Sequence, residues 1–189
     1  MFKKEESYTL FELVIEQQDG SDIQQLRATN IDWGPISSTL NRSAKSLRMH
    51  YDNVIWTPLA RLITGGFEAE ADNTKLLNAI LAEEAEMWRR ELCEAILEDE
   101  AVSERRAIPW QKMQNRFPNV GKYAMLHFIG NCLKGRNQSL TFRERLKLYL
   151  EKPPNAKVVK SRGRFDFGEI WEIYRSHKIY TSSEDPPTD

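Results

Sequence analysis

Apolar residues in this chain recur at spacings of three and four far more often than at every second position, the mark of amphipathic helices rather than strands. Leu10, Leu13 and Val14, with Gln17, trace one side of a first helix that Thr9 is placed to cap, and DGSD at 19–22 ends it. After a polar linker comes Trp33. Pro35, a good first-turn residue, opens a short helix expected to end near Leu40. Asn41-Arg42 form a turn, and Ser43 caps a helix running to about Ile55. Thr57-Pro58 and Thr64-Gly65-Gly66 read as a connector. A long helix is expected from Asp72–Thr74 to about Glu100, turning Leu77, Ile80, Leu81, Trp88, Leu92 and Ile96 inward. Pro109 and Trp110 start a second short helix, Pro118-Asn119 a second turn, and a helix spans about Gly121 to Lys134. A further helix at 141–151 stops before Pro153-Pro154. KVVKSRGR at 157–164 is a basic linker, 165–178 a last short element, and SSEDPPTD a disordered tail.

Part of this pattern occurs twice. DWGPISSTLNRSAKSLRMHYDNVI at 32–55 returns, ungapped and 77 residues on, as PWQKMQNRFPNVGKYAMLHFIGNC at 109–132. Trp33 falls on Trp110, Ile36 on Met113, Leu40 on Phe117, Lys45 on Lys122, His50 on His127 and Tyr51 on Phe128. Each copy reads as helix, loop, short helix, turn, helix: a three-helix unit whose second half is a helix-turn-helix.

The 189 residues suffice for one ordinary domain or two small ones. The net charge of −1 hides a segregation. Residues 67–104 hold 12 acids against 3 bases, and residues 105–164 hold 15 bases against 2 acids. A polyanion meets the local surface, since a remote acidic face is screened over about 8–10 Å, so the basic half changes the choice of partner. No run approaches the length of a membrane span and no leader opens the chain, so an intracellular protein is expected. Cys93 and Cys132 stand far apart and, with only three histidines, make neither zinc site nor disulfide framework; both are expected as small buried hydrophobes. The carboxylates at 83–100 look like the solvated face of one helix. There is no phosphate loop, no GxSxG and no informative Cys/His pair, so neither an enzyme nor a cofactor is expected.

The residues that carry the repeat resemble tandem Myb/SANT domains. The first copy has Tyr8-Thr9, Trp33, the turn NRS and Tyr51; the second has Phe67 followed by Glu68, Glu70 and Asp72, then Trp110 and Phe128. The resemblance covers about residues 5–135, and the long insertion before Trp110 is similar to Myb-like repeats of RNA polymerase I termination factors; telomeric duplex-binding proteins are a second similar group. The chain departs from the family in its spacings, 25 residues from Tyr8 to Trp33 and 43 from Phe67 to Trp110, and in the sparse acids of its first copy. The resemblance implies an all-α fold of two three-helix bundles in tandem: repeat 1 at 5–57, a connector at 58–66, repeat 2 at 67–135, an additional helix within 136–152, and linker, short element and tail at 153–189. It also implies nuclear double-stranded DNA binding, in transcription, its termination, or telomere and chromatin function.

In the helix from Ser43 to Ile55 the expected core stripe is Ala44, Leu47, Tyr51 and Val54, and the stripe turned away holds Lys45, Arg48, Met49 and Asp52. Arg48 is best placed to reach a guanine, Arg42 and Lys45 suit phosphates, and Met49 suits a thymine methyl. Asp52 is awkward there, and the bland alternative is an ordinary solvated face. In the second copy the core stripe is Gly121, Ala124, Phe128 and Cys132, and the outward positions are Lys122, Met125, Leu126 and Ile129. So apolar a patch requires a cover: the 141–151 helix, which is expected, another protein, or thymine-rich DNA. Lys112, Arg116, Lys122, Lys134, Arg136, Arg143, Arg145 and Lys147 surround it as backbone-gripping cations. Lys160, Arg162 and Arg164 fit a minor-groove arm, a nuclear-import signal or a solvated linker equally. Trp33, Trp88 and Trp110 are expected in the core; Trp56 and Trp171 are less constrained, and an interface is open to either. A rival reading is a SANT-type protein-interaction module, toward which Asp52, Met125, Leu126, Ile129 and the acidic helix 74–100 lean.

Overall fold

Nine α-helices and short connecting turns make up the computed structural model, which describes residues 2–18, 22–67, 70, 72–132, 139–153 and 167–182; no strand occurs among them. The fold is all-α. Helix α1 is Lys4–Glu16, α2 Trp33–Leu40, α3 Ala44–His50, α4 Thr57–Thr64 and α5 Thr74–Glu98. Then come α6 Trp110–Arg116, α7 Lys122–Cys132, α8 Phe142–Glu151 and α9 Phe167–Ser182. Local chemistry sets several of these ends. Ser43 Oγ accepts from Ser46 N–H, Asn73 Oδ1 from Leu76 N–H, and Thr141 with Glu144 forms a reciprocal box at α8. Asn41 closes α2 in the left-handed conformation, φ 49°, which asparagine tolerates better than most residues. Thr9, expected as the first cap, lies inside α1 instead; the helix begins earlier because the Glu6 carboxylate accepts the Lys3 N–H at 2.7 Å.

Several helices line up at the offset seen in the sequence. α2 and α6 match at the 77-residue offset, and so do α3 and α7; shifted by 77, α1 falls within α5. Buried residues correspond beyond the motif first noticed: Phe11 with Trp88, Ile15 with Leu92, Ile31 with Ile108. The tryptophans diverge. Trp33 is buried, donates to the Ala28 carbonyl at 2.8 Å and meets Tyr51 edge-on at 5.5 Å. Trp110 is only half-buried, and Trp88 of α5 meets Phe128 instead, edge-on at 5.7 Å.

Three findings alter the expected layout. First, residues 57–64 are no connector. The chain runs from α3 through a π-helical turn, Tyr51–Trp56, straight into α4. Pro58 has no N–H and its ring crowds the carbonyl four residues back, and the wider i→i+5 bonding, with Thr57 N–H reaching Asp52 O, comes just before it. Second, the last element is longer than 165–178 suggests: α9 returns to α1 and α5 and seals the first core with Phe167, Ile170, Trp171 and Tyr174. Third, Trp56 and Trp171, whose place the sequence leaves open, are both buried there; Trp56 donates to the Ile23 carbonyl at 2.9 Å.

The first core is therefore α1 to α4, the start of α5, and α9; the second is the rest of α5 with α6, α7 and α8. Leu77 belongs to one, while Trp88, Leu92 and Ile96 belong to the other. Ile80 and Leu81 are half-buried between these. Cys93 is buried in the second core.

Candidate nucleic-acid interface

The third helices of the two copies pack against each other, α7 lying along both α3 and the π turn. Asp52 makes the joint. Its carboxylate is buried and accepts the Tyr123 N–H at 2.9 Å, so it caps the first turn of a helix in the other copy. Gly121 N–H donates to Thr57 Oγ1 at 2.9 Å, and a Cβ on Gly121 would stand 2.5 Å from Asp52 Cγ, so only glycine allows this approach. Beside them Gln24 donates to Asn119 Oδ1 at 3.0 Å, and Arg27 lies over the Trp56 ring while donating to the Pro118 carbonyl. Burial pushes the Asp52 carboxyl up to about 6; the Tyr123 bond and the Arg27 charge oppose this and do not cancel it.

Part of the segregated charge closes on itself. Arg116 pairs with Glu98, and Lys112 Nζ is 3.5 Å from Asp99. Arg143 donates to the carbonyls of Leu97, Asp99 and Val102 and so caps the end of α5. Arg145 donates to the Leu140 carbonyl at 3.0 Å, Arg61 pairs with Glu84, and Arg42 with Glu6 at 2.9 Å. Lys112, Arg116, Arg143 and Arg42 thus each have a partner within the fold, while Lys112 and Arg116 stay exposed. Lys122 is half-buried and lines a small cavity at the seam with Asp52, Arg27 and Tyr123. Lys134, Arg136, Lys160, Arg162 and Arg164 lie outside the described residues.

The stripes expected to face outward are also used otherwise. Met125 and Ile129 are fully buried in the second core with Phe142 and Leu146, so the chain's own α8 helps to cover them; Leu126 is half-buried. Arg48 is half-buried, and its Nε is enclosed without an acceptor among the described residues. Asp52 faces α7, which accounts for an acid on a stripe where DNA would repel it.

What remains open is a groove of about 380 Å³ along α3 and the π turn. Two rows of the same rod line it, Lys45, Met49 and Asn53 beside Ser46, His50 and Val54, and His127 of α7 adds to the wall. Lys45 is exposed, and no carboxylate is among the lining residues. His50 stacks face to face on Phe2 at 3.9 Å, with Ser7 Oγ 2.9 Å from its Nε2. Burial is the main cause that lowers its pKa to about 4, aided by Arg42 and opposed by Glu6, so the ring is neutral at pH 7. Lys45 brings the groove's ammonium. Asn53 is the residue that helix periodicity alone does not single out, since its placement depends on the π turn. Among the described residues no group of three or more His, Cys, Asp or Glu side chains is arranged to hold a metal, and no helix is long and apolar enough to cross a membrane.

No protein-family model, curated protein or solved structure matches this chain.

Proposed function

We propose that this chain binds double-stranded DNA in the nucleus, as a tandem Myb-like module in which the two copies act as one body. The observation that carries the reading is the groove along α3: a row with exposed Lys45 at its head and no carboxylate in its lining, beside the matching helix of the second copy. Such a surface suits the phosphates and base edges of a duplex. The residues that lean toward a protein-interaction module, Asp52, Met125 and Ile129, are occupied inside the fold, and the acidic helix is partly neutralised by Arg61, Lys112 and Arg116. Transcription, its termination and telomere or chromatin function are the processes to examine.

Fluorescence anisotropy with random-sequence duplex over a salt series tests this. Binding tighter than about 10⁻⁴ M at low salt, falling as salt rises, is expected. Lys45→Ala should weaken all duplexes alike and lower the salt slope by about 0.9. No binding at low salt would leave the protein-interaction reading in its place.

A further inference from the structure

Leu76 and Met87 are the most exposed large apolar side chains among the described residues, at 45% and 43%. Both belong to α5. On a helix of 3.6 residues per turn, Leu76, Ile80, Glu83, Met87, Glu91 and Glu94 fall within one sector about 80° wide. Each is three or four positions from the next, so the side chains adjoin in a ridge about 27 Å long. All are exposed except the half-buried Ile80, and none belongs to either core. The buried flank of α5 is the one with Trp88, Leu92 and Ile96.

The ridge is apolar toward the start of α5 and acidic toward its end. There a cavity of about 350 Å³ opens between Glu91 and Glu94, Arg61 of α4 and the turn Phe117–Asn119. Arg61 and Arg116 line it too, but Glu84 and Glu98 already neutralise them. Glu83, Glu91 and Glu94 have no ion pair among the described residues. The surplus charge is therefore negative, next to uncovered apolar surface.

That combination narrows the occupant. A duplex would meet carboxylates along the ridge, and a second copy would set like charges against each other. A plain cationic tail has no use for Leu76 and Met87. A straight ridge of this length, apolar and then acidic, suits a helix of about 18 residues that carries both apolar and cationic side chains. We propose that α5 is a docking ridge for a basic amphipathic helix of another protein, with apolar side chains over Leu76, Ile80 and Met87 and a lysine or arginine in the cavity beside Glu91 and Glu94. The ridge shares no residue with the groove on α3, so the chain can join a protein partner to DNA.

The test uses the full chain and a fluorescein-labelled synthetic helix of about 18 residues, with leucines along one face and lysines and arginines beside them. The control has the same composition, permuted so that no apolar face forms. Anisotropy should show the ordered helix binding at least several-fold more tightly than the control. Met87→Ala should weaken it by roughly 5-fold or more. The pair Glu91→Gln and Glu94→Gln should weaken it by roughly 2- to 20-fold, whereas Lys45→Ala should bind it as wild type does. These positions are exposed, and circular dichroism verifies that the variants fold. Equal binding of the two peptides, or α5 variants that bind as wild type does, would overturn the proposal. So would a dimer in sedimentation that Met87→Glu dissociates, which makes a second copy the occupant. Much tighter peptide binding by a chain with Lys160, Arg162 and Arg164 changed to glutamine would overturn it in favour of the chain's own basic segment. Duplex binding by the Glu91 and Glu94 variant should be no weaker than wild type, so this proposal and the DNA-binding reading fail separately.

Discussion

Replacing Asp52 by Asn removes a charge that the fold encloses at some cost. The carboxyl rises from 3.8 to about 6, and burial is the largest cause. At about 1.4 kcal/mol per pH unit, holding the ionised form inside costs on the order of 3 kcal/mol relative to the protonated one. Because the folded value lies above the unfolded one, the folded chain binds the extra proton between about pH 4 and 6. Stability from this group is full below that window and is lost as pH rises through it. Asparagine keeps the shape and the acceptor for Tyr123 N–H, and gives up the attraction to Arg27, which also stacks on Trp56 and donates to Pro118. Asp52→Asn should therefore be about 1–3 kcal/mol more stable than wild type at pH 7.5 and equal to it near pH 4. Urea unfolding followed by circular dichroism at four or five pH values reads both ends. Parallel curves for the two proteins, or a variant less stable at pH 7.5, would refute the account of an enclosed carboxylate at the joint.

The same seam makes Gly121→Ala costly: its Cβ would overlap the Asp52 carboxylate at 2.5–2.7 Å, so thermal unfolding should show a loss of about 1–3 kcal/mol, much reduced in an Asp52→Ala background. Arg143→Ala strips the carbonyl partners from the end of α5 and should lower stability by about 1.5–3 kcal/mol, with amide exchange accelerating first around residues 97–102.

Much of the plan is written in the order of side chains. The 77-residue correspondence fixes which helices match, and Ser43, Asn73 and Thr141 mark helix starts through nearest-neighbour chemistry that a sequence displays directly. The cover for Met125 and Ile129 is legible too, because a water-facing patch of that kind is too unfavourable to leave open. What is not written locally is how the copies meet. Asp52 looks misplaced on a stripe expected to be cationic until its partner, 71 residues away, is known. Thr57-Pro58 reads as a break because proline ordinarily stops a helix, and only the π turn before it lets the rod continue. Trp171 gives no sign that it belongs to the first core, since its helix lies beyond a proline-rich stretch. The charge blocks mislead for a related reason: opposite charges separated in sequence are adjacent in space, so Arg116 and Arg143 satisfy α5 before any outside ligand. The candidate site is the least legible part, because Asn53 joins Lys45 and Met49 along one groove only through the π turn.

Helix α5, 25 residues and about 37 Å long, contributes to both hydrophobic interiors. Neither half can melt without stripping apolar partners from a beam that the other half also grips. The repeats are thus not interchangeable beads: excising one would leave a severed, greasy stub on its neighbour, and heat should dissolve the whole assembly in a single step.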